Sequence, residues 1–150
     1  MSHPVSISIH GPVAVIAMDK PPVNSLGAAL RAGIADAMDQ ALANAAVQAI
    51  VLTGTARAFS AGADVTEFGT PMAAREPNLR VVISLLEDSP KPVIGAINGP
   101  AVGVGITMTL PFDVRLASTT AKFGIVRPGT AGTSPRRQSR TAPPGCAVSP

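Results

Sequence analysis

Lys91-Pro92-Val93-Ile94-Gly95-Ala96-Ile97-Asn98-Gly99-Pro100-Ala101-Val102-Gly103-Val104-Gly105 decides how this chain folds. Val93 to Ile97 is an apolar run of strand length. It enters a glycine-containing turn and leaves toward a short helix over Gly103 to Leu110, which Pro111 ends. A second stretch, Arg57-Ala58-Phe59-Ser60-Ala61-Gly62-Ala63-Asp64-Val65, follows the same plan of strand, glycine turn and helix. Such turns leave backbone N–H groups unpaired and pointing outward. Two of them aimed at one point can hold a carbonyl oxygen as it gains negative charge.

Outward from these turns, strands and helices alternate. Val5-Ser6-Ile7-Ser8-Ile9 alternates as a half-buried strand does, His10-Gly11-Pro12 turns, and Val13 to Met18 returns as the second arm of a hairpin. Pro21-Pro22 ends the hairpin, and Asn24 or Ser25 is placed to cap a helix running to about Asn44. Leu30, Ile34, Met38 and Leu42 form its buried stripe, with Arg31, Asp39 and Gln40 on other faces. Val47 to Leu52 reads as a strand, 72–88 as a helix with Leu79, Val82, Ile83 and Leu86 on one side, and Val114 to Ala117 as a further strand. The class is α/β.

The net charge of +3 is a property of the tail. Residues 1–124 hold eight Lys or Arg against nine Asp or Glu, whereas the last 26 residues hold Arg127, Arg136, Arg137 and Arg140 and no acid. A basic tail without interleaved aromatics or a recognisable module is a poor nucleic-acid signal, so no specific nucleic-acid partner is expected. The single cysteine, Cys146, rules out an intrachain disulfide and a cysteine-based zinc site. Val93 to Leu110 is uncharged for 18 residues, but its Asn98-Gly99-Pro100 and further glycines read as strand, turn and helix, not as a membrane span. No secretory signal is visible at the N-terminus, and a cytoplasmic location is expected.

Together with Pro22-Val23-Asn24-Ser25-Leu26, the two glycine turns resemble the crotonase (enoyl-CoA hydratase/isomerase) family, in one collinear register from about Val5 to Gly124. The resemblance implies a crotonase-like spiral of strand-strand-helix turns, incomplete here, and an acyl-CoA thioester as partner. Its carbonyl would become an enolate-like oxyanion held by the N–H groups of Ala63 and Val104. Val104 stands where the family commonly has the middle glycine of three, so its side chain narrows the approach or tilts the turn. Val23, Leu26, Ala61, Asp64, Val65 and Thr66 fall at coenzyme A contacts. Asp64 is equally placed to cap the next turn, and Val23 and Leu26 to be core. Coenzyme A arrives as part of the substrate, so neither a resident cofactor nor a metal is expected. The full-length family assembles as trimers or hexamers.

Hydration of a double bond needs a base for water and an acid for the alpha carbon. The family's hydratases use two glutamates; the matching positions here are Thr107 and Arg127, and neither is a carboxylate. Glu67 is near the first loop, as a solvated charge in preference to a site residue; Glu87 and Asp88 end a helix, Asp113 resembles a structural aspartate, and His10 is a turn residue. The expectation is thioester binding with hydratase chemistry missing. An inactive fragment that at most binds coenzyme A, a double-bond isomerase and a thioester hydrolase are the alternatives.

From about Ile125 the sequence becomes Pro, Gly, Ser, Thr, Ala and Arg with almost no large aliphatic residue. Residues 1–124 are therefore read as the core, and 125–150 as a non-homologous tail, either disordered or translated out of frame, with the latter favoured. An alternative frame after about Gly124 is expected to encode amphipathic helices and at least one Glu or Asp close to the change. The nucleotide sequence in three frames checks this, and a lack of such a continuation in every frame makes the tail native.

Overall fold

A computed structural model describes residues 3–55 and 57–125; Arg127, Cys146 and the expected tail after Ile125 lie outside these. The hairpin forms as read: β1 (Val5–His10) pairs antiparallel with β2 (Val13–Met18). Beyond it, β3 (Ala49–Gly54), β4 (Val93–Ile97) and β6 (Val114–Ala117) join in parallel, giving the order β1-β2-β3-β4-β6. A small second sheet pairs β5 (Ala101–Val102) with β7 (Phe123–Gly124). In β2 and β3 alternate residues are buried, which places Ala14, Ile16, Met18, Ile50, Leu52 and Gly54 on one inner face.

Helix α1 (Ala28–Ala43) packs on β1, β2 and on α2 (Leu79–Glu87). Leu30, Ile34 and Met38 are fully buried, as their spacing required, and Leu42 is partly buried against the same core. The far end of α1 is closed by a side chain from another element. Lys91 Nζ donates to the carbonyls of Ala41, Leu42 and Asn44 at 2.8, 3.0 and 2.8 Å. A cation there satisfies the orphan carbonyls and the negative end of the helix together.

Helix boundaries differ from the sequence reading at α1, at α2 and at the short helix expected over Gly103 to Leu110. Neither Asn24 nor Ser25 caps α1, which starts at Ala28 after Gly27. Asn24 has φ 53 and is already committed: its Oδ1 accepts from the Lys20 N–H at 2.8 Å, and its Nδ2 donates to the Ala58 carbonyl at 3.0 Å. The expected helix over 72–88 shrinks to Leu79–Glu87. Pro77 disfavours helix at the residue before it, and the Asn78 side chain accepts from the Val81 N–H at 3.1 Å, fixing a cap there.

Glycine at position 95 lets the Phe112 ring lie directly on β4, and that ring meets Phe59 edge to face at 6.3 Å. Asp113 accepts from the Val93 N–H at 2.7 Å, so it is a structural link between β4 and the entry to β6. Among the described residues no helix is long and apolar enough to cross a membrane. The short helix after the glycine turn, α3, covers Val104–Thr107, fewer residues than the sequence suggests, with turns continuing to Pro111.

Candidate thioester-binding site

The two glycine stretches are zipped together by their backbones. Phe59 N–H and Ser60 N–H both donate to the Pro100 carbonyl (3.0 and 3.1 Å), and Val102 N–H donates to the Ser60 carbonyl (2.9 Å). Two close approaches depend on glycine. A Cβ at Gly105 would lie 2.6 Å from the Ser60 carbonyl oxygen, and one at Gly62, whose φ is +94, would lie 2.7 Å from that of Val102. The Val23 to Leu26 segment closes the third side: Ala61 N–H donates to the Val23 carbonyl at 2.9 Å, and Leu26 N–H to the Gly62 carbonyl at 2.7 Å. The three motifs are thus neighbours in space.

This pairing uses the groups flanking Ala63 and leaves its own N–H on the side away from Leu26. Val104 is the first residue of α3, so its N–H has no acceptor within the helix. Among the described residues, neither N–H enters a turn or loop hydrogen bond. The two groups are close: a Cβ built on Gly62 would sit 3.5 Å from the Val104 nitrogen. Standard bond lengths put the Ala63 nitrogen within about 3.7 Å of that same point, so the two nitrogens lie within about 7 Å of each other.

Ala63 and Val104 line one cavity of about 160 Å³ with Leu26, which is 3% exposed. Its polar side is Arg31, Asp64 and Glu67; Phe68, Ala73 and Leu79 complete it. The other coenzyme A candidates do not line it: Val23, Ala61, Val65 and Thr66 are exposed on the loops around it. Thr107 is exposed at the end of α3 and does not line the cavity either. Arg127 lies outside the described residues. A larger cavity of about 470 Å³ between β1 and α1 shares no residue with this one.

Each carboxylate in the cavity is already engaged. Asp64 accepts from Lys20 Nζ at 2.6 Å, from the Ser25 hydroxyl at 3.1 Å and from the Thr66 N–H at 3.2 Å, the last capping a single 3₁₀ turn over Val65–Glu67. Lys20 above all, then Thr66, holds the Asp64 carboxyl well below the usual carboxylate range. Glu67 is not the solvated loop charge that its sequence position suggests. Its side chain is 16% exposed, and both its oxygens accept from the Ala28 N–H at 2.8 and 3.0 Å. Glu67 is therefore the acid that caps α1 and satisfies the positive end of the helix from a different loop. Gly27 makes room for it, since a Cβ there would lie 2.5 Å from Glu67 Oε1.

Arg31 also departs from the reading that placed it off the buried face. It is 5% exposed and sits beside Glu67, with Nη1 3.5 Å from Oε2. The signal was present: Arg31 lies three residues before Ile34 and seven before Met38, so it shares their side of the helix. A buried arginine was not expected because it needs several acceptors, and no sequence pattern announced them.

Known proteins similar to this chain agree on one family. The sequence profile for enoyl-CoA hydratase/isomerase matches residues 8–136, running past Gly124 and across the change in composition. A probable enoyl-CoA hydratase of Bacillus subtilis (strain 168) is 32% identical over 140 residues, which are 86% of this chain and 54% of that protein. A peroxisomal bifunctional enzyme of Danio rerio is 38% identical over 113 residues, covering 75% of this chain and 16% of the relative. The crystal structure of an enoyl-CoA hydratase from Mycobacterium avium subsp. paratuberculosis K-10 superposes with a TM-score of 0.69 at 30% identity, covering 80% of this chain and 46% of that one. The chain thus spans about half the length of the Bacillus relative.

The Lys20–Asp64 pair gives stability a definite pH dependence. Because the folded Asp64 carboxyl is depressed, its contribution is fully present above the unfolded value of about 4 and is lost as pH falls through the lower folded value. Urea denaturation of the parent and Asp64→Asn at pH 6, 4 and 3 is expected to show the parent losing its advantage over the variant as pH falls. A stability difference between the two that is constant with pH would contradict the pairing.

Proposed function

Because the chain belongs to the enoyl-CoA hydratase/isomerase family, we propose that its cavity holds the carbonyl of an acyl-CoA thioester between the N–H groups of Ala63 and Val104. The observation that carries this reading is the meeting of those two turns, with neither N–H spent on a neighbouring carbonyl, at one cavity. As charge develops on the thioester oxygen, both donors strengthen their hold without moving. Each donor of this kind contributes about 3 kcal/mol to an enolate-like state. The side chain of Val104 narrows the entry but keeps its N–H. Asp64 and the exposed residues Val23, Ala61, Val65 and Thr66 form the rim along which the coenzyme lies.

Hydration is a different matter. Thr107 and Arg127 stand at the positions of the family's two glutamates, and neither supplies a carboxylate. The cavity's own acids do not replace them. Asp64 is kept ionised by Lys20 and so has no proton to give, and Glu67 is turned onto the Ala28 N–H at the start of α1 and Arg31. The chain is therefore a thioester binder that polarises its ligand and lacks the proton transfers of a hydratase. The relatives' names place two of them in hydratase or bifunctional enzymes, which supports the thioester class and leaves the acyl group open.

Two measurements test this. Hydration of a short enoyl-CoA, followed by the loss of its conjugated absorbance, is expected to be absent or slower than in an ordinary hydratase by about a hundred- to ten-thousand-fold for each missing group. Calorimetric titration with an acyl-CoA enolate mimic is expected to show binding by the parent. Ala63→Pro, checked for folding by circular dichroism, is expected to weaken it on the order of a hundredfold, the value of one donor. A folded variant that binds as tightly as the parent contradicts the proposal.

A further inference from the structure

Residues 69–77, of which Ala73 lines the cavity, run along it with little holding them. They contain no helix or strand, Phe68 before them is 63% exposed, and Met72 within them is 38% exposed. Hydrogen bonds within the stretch are local: Ala73 N–H to the Thr70 carbonyl, Arg75 N–H to that of Met72, and Thr70 N–H to that of Glu67. Among the described residues, one side chain outside the 65–88 region binds it. Arg31 donates from Nη2 to the carbonyls of Met72 and Arg75, both at 3.1 Å, and from Nε to that of Pro77 at 2.9 Å. Its remaining nitrogen, Nη1, donates to the Leu26 carbonyl at 3.0 Å and faces Glu67.

We propose that Arg31 is the positioning residue of the cavity's outer wall: it alone straps residues 69–77 across the opening and so limits the size of acyl group that the cavity accepts. The acyl part of this rests on the thioester reading above. The guanidinium suits the task because its planar fork reaches several carbonyls at fixed angles, which a lysine cannot do. Through Nη1 the same side chain is tied to Leu26, which lines the cavity and pairs with the loop of Ala63. Wall and carbonyl-binding turn therefore share one anchor. A space of about 150 Å³ is enough for a molecule the size of benzene, so by volume alone the strapped cavity, at about 160 Å³, has room for an acyl group of about six heavy atoms beside its charged side. With the strap released, Phe68 and Ala73 withdraw and a longer chain passes out between the wall and α1.

The carbonyl of Arg75 is both an Arg31 acceptor and the bond that trypsin cuts, so proteolysis reads the strap directly. In Arg31→Gln, cleavage after Arg75 is expected to accelerate at least about tenfold relative to cleavage after Arg80 in α2, because only the strap opens. Unchanged cleavage after Arg75 overturns the proposal. Equal acceleration at both sites also overturns it, since Arg31 would then support the whole fold. Arg31→Lys repeats the comparison with the charge kept.

Calorimetric titration with butanoyl-CoA and dodecanoyl-CoA supplies a readout that a general loss of stability would not move. The parent is expected to favour butanoyl-CoA. Both variants are expected to gain dodecanoyl affinity relative to butanoyl affinity, shrinking the preference by about tenfold. A parallel fall for both ligands, or an unchanged ratio, overturns the role in acyl size. A parent that binds neither thioester overturns the thioester reading itself and the acyl role with it, while the cleavage ratio still upholds or overturns the strap.

Discussion

The backbone pairing of Phe59 to Gly62 against Pro100 to Gly105 is the constraint on which the rest of the molecule depends. It is made by main-chain groups at 2.9 to 3.1 Å, and side chains enter it chiefly by being absent. The carbonyls of Ser60 and Val102 stand where the Cβ atoms of Gly105 and Gly62 would be. That closeness brings the strand-to-helix turns after β3 and β4 to one place, and the Leu26–Ala63 pairing brings the segment before α1 to the same place. A parallel sheet carries its strand-to-helix loops beyond the carboxyl ends of its strands, which is where such α/β folds collect ligand sites. Here β2, β3, β4 and β6 run parallel, and the two glycine turns meet beyond the ends of β3 and β4.

Polar side chains around that place are spent on architecture. Lys20, Ser25 and Thr66 converge on Asp64; Ala28 and Arg31 converge on Glu67. Each pair ties the loop after Gly62 to the start of α1, from two sides. Partly buried charges of this kind are costly to leave alone and are stable when satisfied, and Asp64, with Lys20 against it, is held ionised. A general acid or base needs the opposite, a pKa near the working pH. The bonds that tie the loop after Gly62 to the start of α1 thus engage both acids of the cavity.

Much of this was legible in the sequence, and the failures have physical reasons. Hydrophobic period marked the hairpin and the Leu30, Ile34, Met38 stripe, because burial on one face imposes that period directly, and an uninterrupted apolar run marked β4. Glycine placement gave the two turns, since close backbone approach excludes any side chain. What escaped were partners distant in the chain: Glu67 capping a helix 39 residues earlier, Lys91 closing the far end of that helix, and Arg31 buried among the carbonyls of 72, 75 and 77. Local rules offered Asn24 or Ser25 as the cap, but tertiary contacts had already claimed both. Helix propensity over 72–78 lost to Pro77 and the Asn78 cap. Of the candidate site residues, Leu26, Ala63, Asp64 and Val104 come together at the cavity, while Val23, Ala61, Val65, Thr66 and Thr107 do not line it.

The central claim is that two backbone N–H groups polarise one thioester carbonyl, and the vibration of that carbonyl reports it most directly. Infrared difference spectra of butanoyl-CoA, with and without a carbon-13 label at the carbonyl, isolate its stretch in the presence of excess protein. Two donors drawing charge onto the oxygen weaken the C=O bond, so the account predicts a band at lower frequency for bound ligand than for free. It further predicts that Ala63→Pro returns part of that shift. A bound ligand whose carbonyl band stays at the free position would contradict the account, whatever its affinity.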